Sequence, residues 1–132
     1  MIVDSSALVA ILTKEPTRAS LLAALIAAPS TTISAGTLLE IGIVVDRRGD
    51  ATLSRRLDDL IASFAIEVRD VTAEQAAIGR AAYRDYGKGS QHPAQLNFGD
   101  CFAYALARVT GEPLLYVGND FTHTDLRDAL AP

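Results

Sequence analysis

Four carboxylates stand in places where an acid needs a physical reason. Asp4 directly follows Met1-Ile2-Val3, the first apolar run of the chain. Glu40 sits inside Leu38-Leu39-Glu40-Ile41-Gly42-Ile43-Val44-Val45, a run too apolar for the solvated side of a helix. Asp100 opens the strongly apolar stretch Asp100-Cys101-Phe102-Ala103-Tyr104-Ala105-Leu106, and Asp120 closes the turn Gly118-Asn119-Asp120 after Leu114-Leu115-Tyr116-Val117. A buried carboxylate is costly unless it meets a cation, a proton or strong hydrogen bonds.

Each acid has an ordinary reading on its own. Asp4 or a following serine could cap a helix, and Asn97 or Asp100 could do the same for a later one. Glu40 could pair with an internal arginine, and Asn119-Asp120 could be turn chemistry alone. Considered jointly, two of the acids follow strands, two enter helices, and all four can reach one edge of a parallel sheet. Carboxylates gathered in a partly desolvated pocket repel one another, and a divalent cation resolves that conflict. An all-oxygen donor set favours Mg²⁺ or Mn²⁺ over zinc, which more often draws on Cys or His. Such an ion activates water and polarises a phosphoryl oxygen, so phosphodiester hydrolysis is the natural reaction.

The elements that must position these acids follow from the apolar pattern. Short β-type runs at Met1-Ile2-Val3, Thr31-Thr32-Ile33, Ala65-Ile66-Glu67-Val68 and Leu114-Leu115-Tyr116-Val117 alternate with longer helical patterns. That alternation predicts an α/β fold, a parallel sheet of four to five strands flanked by helices on both faces. Helical spacing links Leu21, Leu22, Leu25 and Ile26, then Leu38, Leu39, Ile41 and Val45, then Leu53, Leu57, Leu60, Ile61 and Phe64. Pro16 and Pro29 read as breakers, Ser34 and Thr72 as helix caps, and Gly49-Asp50 as a turn. Gly87 to Pro93, with two glycines and a proline, reads as a mobile loop.

Bulk properties narrow the function classes. A length of 132 residues with 49% hydrophobic content suits one domain with a buried core. The single cysteine, Cys101, forms no internal disulfide and fits a reducing cytoplasm. It reads as an inert member of the core. No run approaches the roughly 20 apolar residues a membrane span requires. Twelve basic and sixteen acidic residues give a net charge of −4, so any attraction to nucleic acid must be local. Arg47, Arg48, Arg55, Arg56, Arg80, Arg84 and Lys88 could supply it, and Lys88 and His92, in the loop, are the candidate RNA contacts. With only two histidines and no paired spacing, a zinc site has little support.

The chain resembles the PIN-domain ribonucleases, and in particular the VapC-type toxins of bacterial toxin–antitoxin pairs. The resemblance spans essentially the whole chain, 1–132. It is carried by Met1-Ile-Val-Asp-Ser-Ser-Ala-Leu, by Leu39-Glu40, by Leu96-Asn-Phe-Gly-Asp-Cys-Phe-Ala-Tyr-Ala-Leu-Ala and by Leu114-Leu-Tyr-Val-Gly-Asn-Asp-Phe. It implies a Rossmann-like sheet, with Asp4, Glu40, Asp100 and Asp120 matching an acidic metal site and Ser6 supporting the first aspartate. It further implies Mg²⁺-dependent cleavage of tRNA, rRNA or mRNA in the cytoplasm, inhibition by a cognate VapB-type antitoxin, and a homodimer. Asn119 stands where many relatives carry a second acid, and Asp125 could join the metal shell through water or a hydrogen bond.

Three rival functions use the same residues differently. A phosphoacceptor domain could use Asp70 after the third strand, but it needs a lysine after a late strand, and Leu114 to Asp120 contains none. A dehalogenase-like phosphatase needs an acid two residues after the first, where Ser6 stands. A PIN-like module that binds RNA or protein without catalysis would have little use for all four acids.

Overall fold

The computed structural model describes residues 1–131. The elements follow the order β1 (Ile2–Val3), α1 (Ser5–Leu12), α2 (Arg18–Ala27), β2 (Thr32–Ser34), α3 (Ala35–Asp46), α4 (Ala51–Ser63), β3 (Glu67–Arg69), α5 (Ala73–Tyr86), α6 (Asp100–Thr110) and β4 (Leu114–Leu115). The strands lie in the order β3-β2-β1-β4, and every pairing is parallel. Ile2 of the central strand β1 faces Thr32 on one side and Leu114 on the other. The expected α/β architecture is therefore present with four strands, each displaced from its sequence-based bounds by a residue or two at one or both ends.

Successive residues of a strand point to opposite faces, and the two hydrophobic cores divide accordingly. Val3, Ile33 and Leu115 pack with Leu8 and Ile11 of α1, Leu21 and Leu25 of α2, Ile41 of α3 and Leu57 of α4. Ile2 and Leu114 pack instead with Ala82 of α5 and with Ala103, Tyr104, Leu106 and Ala107 of α6. Helices thus cover both faces, as the alternating pattern predicts.

Local chemistry sets the helix starts. Ser34 caps α3 by accepting from the Gly36 N–H at 3.2 Å, and Thr72 caps α5 by accepting from the Gln75 N–H at 3.1 Å. Asp50, expected only as part of a turn, caps α4 by accepting from the Thr52 and Leu53 N–H groups at 2.9 and 3.2 Å. Gly49, at φ +68, reverses the chain just before it.

The segment from Gly87 to Pro93 lies outside the helices and strands, as expected of a loop, and it is tied at its base, where the Lys88 N–H donates to the Leu96 carbonyl and the Leu96 N–H to the Tyr86 carbonyl, both at 2.9 Å. One expectation needs correction: the apolar run in α3 is not wholly buried. Ile41 and Val45 enter the core, whereas Leu39, Ile43 and Val44 are 65%, 49% and 43% exposed. One helix face meets the core, so a run this apolar leaves side chains over on the other. No helix among the described residues is long and apolar enough to cross a membrane.

Candidate functional site

The parallel topology brings the carboxyl ends of the strands to one edge, where open α/β sheets bind ligands. Asp4 leaves β1 at that edge, its N–H donating to the Leu115 carbonyl at 2.9 Å. Its carboxylate is buried and caps α1. Oδ2 accepts from the Ser6 N–H at 2.9 Å and from the Ser6 hydroxyl at 2.6 Å. Ser6 Oγ accepts in turn from the Val117 N–H at 3.0 Å, tying Asp4 to the segment beyond β4. The capping and site readings of Asp4 are thus compatible, because one oxygen serves as the cap.

Asp100 is held in a similar way. The Asn97 N–H donates to Asp100 Oδ2 at 2.8 Å and the Asp100 N–H donates to Asn97 Oδ1 at 2.9 Å, a reciprocal capping pair at the start of α6. Glu40 is half-buried on α3, where Oε1 accepts from the Ser5 hydroxyl at 3.3 Å. Sequence reasoning missed Ser5 as a partner of Glu40; its only signal was its place between Asp4 and Ser6. Asp120 is exposed and follows Gly118, whose φ of +101 turns the chain.

Asp4, Glu40 and Asp120 each lie close enough to Asp100 for their charges to act on it. Burial, and then the nearby charges of Asp4, Asp120 and Glu40, push the Asp100 carboxyl up to about 7 against the opposing Asn97 N–H bond. Burial also raises Asp4, opposed by the bonds from Ser6 and the Ser5 backbone and reinforced by Asp120. Glu40 is raised by burial and by Asp4. Among the described residues none of the four pairs with lysine or arginine, so an arginine partner for Glu40 is not found. A groove of about 360 Å³ beside them is lined by Ser5, Ser6, Val9, Glu15, Glu40 and Val117.

The remaining candidates lie apart from this cluster. Asp125 accepts from the Tyr104 hydroxyl at 2.7 Å and pairs with Arg108 at 3.3 Å, both on α6, so its carboxylate is committed elsewhere. Asn119 is exposed, and its carbonyl accepts from the Thr122 N–H at 3.2 Å. His92 packs edge-on against Tyr86 with ring centroids 4.8 Å apart, and its Nδ1 accepts from the Ala94 N–H at 3.1 Å. Lys88 is exposed. Asp70 is exposed beyond the edge strand β3, outside the group of acids that perturb one another.

A cavity of about 530 Å³ lies between α5 and α6 and is lined by none of the four acids. Its walls include Val71, Tyr83, Phe98, Phe102 and Cys101, whose thiol burial pushes up to about 11. Cys101 is half-buried beside this groove rather than deep in the core, and its neutral thiol makes a poor nucleophile. The smaller groove carries one of the four acids, Glu40, on its wall.

The sequence matches the PIN domain over residues 1–126. It is 50% identical over 129 residues to ribonuclease VapC42 of Mycobacterium tuberculosis, with 98% of each chain covered. It is 52% identical over 130 residues to ribonuclease VapC28 of the same species, again with 98% of each covered. The chain belongs to the PIN-domain family, in its VapC ribonuclease branch. Two solved structures share the fold: M. tuberculosis VapC20, described as a sarcin–ricin-loop-cleaving toxin, and a toxin–antitoxin complex from Klebsiella pneumoniae. The first aligns with a TM-score of 0.72 at 18% identity over 95% of each chain. The second aligns with a TM-score of 0.69 at 17% identity over 94% of this chain and 92% of that one.

The donor set of this PIN domain suits a hard divalent cation. Every group is a carboxylate oxygen, and the raised pKa values express burial first and mutual repulsion second, both of which a cation would offset. Among the described residues no three acids already stand around a single point.

Proposed function

We propose that the chain is a metal-dependent endoribonuclease toxin that hydrolyses RNA phosphodiester bonds at Asp4, Glu40, Asp100 and Asp120. The observation that carries this reading is Asp100. It is a buried carboxyl brought to about 7 by burial and three other acids, with no lysine or arginine paired to any of the four. Such a group is costly in the free protein and useful once a divalent cation is held.

Asp4 and Asp100 would hold Mg²⁺ or Mn²⁺, with Glu40 and Asp120 acting on it directly or through water. When bound, that ion lowers the pKa of a water and stabilises the charge on the phosphoryl oxygens. Ser6 fixes one oxygen of Asp4 and Asn97 fixes one of Asp100, so each carboxylate has a set orientation before a ligand arrives. Glu40, raised by burial and by Asp4, can accept a proton from water on the substrate side of the groove.

The net charge of −4 leaves RNA to be held by local basic groups, with exposed Arg47, Arg48 and Lys88 as candidates and His92 in the same loop as Lys88. For partners we propose a cognate VapB-type antitoxin and a second copy of this chain, in the cytoplasm. Exposed Leu39 and Ile43, one helical turn apart on α3, and Phe98, 77% exposed, offer apolar surface for such contacts.

The test is cleavage of RNA with Mg²⁺ or Mn²⁺, with and without EDTA, by the wild type, Asp4→Asn and Asp100→Asn. The expected result is EDTA-sensitive cleavage by the wild type alone. Equal metal-dependent cleavage by all three would overturn the site. Absence of cleavage on every RNA class would leave a binding module as the better reading.

A further inference from the structure

Gly99 immediately precedes Asp100 and has φ −62 and ψ −39, a right-handed helical conformation open to any ordinary residue. No positive φ demands glycine there. The demand is for space: a Cβ built on Gly99 would overlap the Glu40 carboxylate, falling 2.8 Å from Oε1 and closer still to Oε2 and Cδ. The same two helices interlock in the other direction. A Cβ on Gly36, in the first turn of α3, would run into the Phe102 ring of α6, 2.7 Å from Cε1. Each partner therefore supplies a glycine to the other's side chain, Gly36 receiving Phe102 and Gly99 receiving Glu40.

We propose that Gly99 is a positioning residue for the acidic site: its missing side chain leaves the space in which the Glu40 carboxylate lies against the start of α6, beside Asp100. This rests on the metal-site reading above. The two glycine contacts differ in what a methyl group would do. Phe102 is a rigid ring packed between helices, whereas the Glu40 carboxylate ends a flexible side chain beside an open groove. A methyl at position 99 should therefore displace Glu40 at little cost to folding, turning a full set of acids into an incomplete one.

The experiment compares wild type, Gly99→Ala, Glu40→Ala and the double variant by Mn²⁺ titration followed by EPR. Proton NOEs between residue 99 and the Glu40 γ-methylene provide a metal-free readout. The expected results are a 99–40 NOE in the wild type, and a loss of Mn²⁺ affinity in Gly99→Ala matching that of Glu40→Ala, about tenfold. The double variant should lose no more than either single one. Wild-type affinity in Gly99→Ala overturns the proposal, as does an additive loss in the double variant. If Gly99→Ala fails to fold, recovery of folding in the double variant supports the steric account, and failure of both overturns it. Absence of the wild-type NOE refutes the positioning itself. Its presence alongside wild-type Mn²⁺ binding by Glu40→Ala instead removes Glu40 from the metal site and refutes the inference about its role there.

Discussion

Asp100 and Asp125 both meet α6, one as its first residue and the other against its middle, yet their surroundings are opposite. Asp125 accepts from the Tyr104 hydroxyl and pairs with Arg108, so its charge is answered by a donor and a cation from successive turns. Asp100 receives one backbone N–H and faces the charges of Asp4, Asp120 and Glu40. The difference separates a carboxylate that fastens the C-terminal segment from one left without a cation. Burial and the sign of the neighbouring charge both draw this distinction, because Asp100 is buried among acids and Asp125 is exposed beside an arginine.

The largest effect expected from this contrast is on cleavage. Asp100→Asn should lower metal-dependent RNA cleavage at least about a hundredfold, by analogy with the loss of a metal's supporting groups. It should leave the melting temperature of the metal-free protein unchanged or higher, because it removes a repelled charge. Asp125→Asn should do the reverse, retaining cleavage within a few-fold while melting earlier. Equal loss of cleavage in the two variants would erase the distinction.

A pH series sharpens it. A carboxyl whose pKa is higher in the folded state holds its proton more firmly there, so its contribution favours folding at low pH and is lost as pH rises. For Asp100 the window runs from its ordinary 3.8 to about 7, and raised Asp4 and Glu40 act in the same direction. The metal-free protein should therefore lose thermal stability between about pH 4 and about pH 7, and saturating Mg²⁺ should restore it at the upper end. Calorimetry of Asp100→Asn should show a flatter profile. A wild-type melting temperature that rises through this range without metal would contradict the charge assignment.

The smallest effect concerns the satisfied acid. Tyr104→Phe removes the hydroxyl that donates to Asp125, a neutral donor to a partly exposed acceptor. It should cost roughly 0.5–1 kcal/mol, read as a drop of a few degrees in melting temperature. Mn²⁺ affinity should not change.

Much of this was legible before any coordinates. The alternation of β-type and helical runs gave a parallel sheet covered on both faces, and the four acids stood out as a candidate site only jointly, since each alone could be a cap, an ion pair or turn chemistry. Contacts between distant parts of the chain were not legible. The Ser5–Glu40 hydrogen bond spans 35 residues, and the space that Gly99 leaves for Glu40 depends on how closely α3 approaches α6. Hydrophobicity also misled within α3, because a pattern of apolar residues does not say whether the chain's own core or something else covers them. Leu39 was grouped with the core-facing residues of that helix and lies outside it. At the loop after Gly87, glycine and proline marked the break in periodicity without revealing that Tyr86, Lys88 and Leu96 would pair across its base.

The central strand β1 has a consequence for how this molecule comes into being. Its neighbour β4 is the last strand in sequence, and both the Asp4–Leu115 bond and the Ser6–Val117 bond wait for that segment. A nascent polypeptide presents Ser6 111 residues before it makes Val117, so over that span Asp4 lacks part of the network that orients it. The set orientation of that carboxylate is therefore a property of the folded chain and not of its first strand and helix alone.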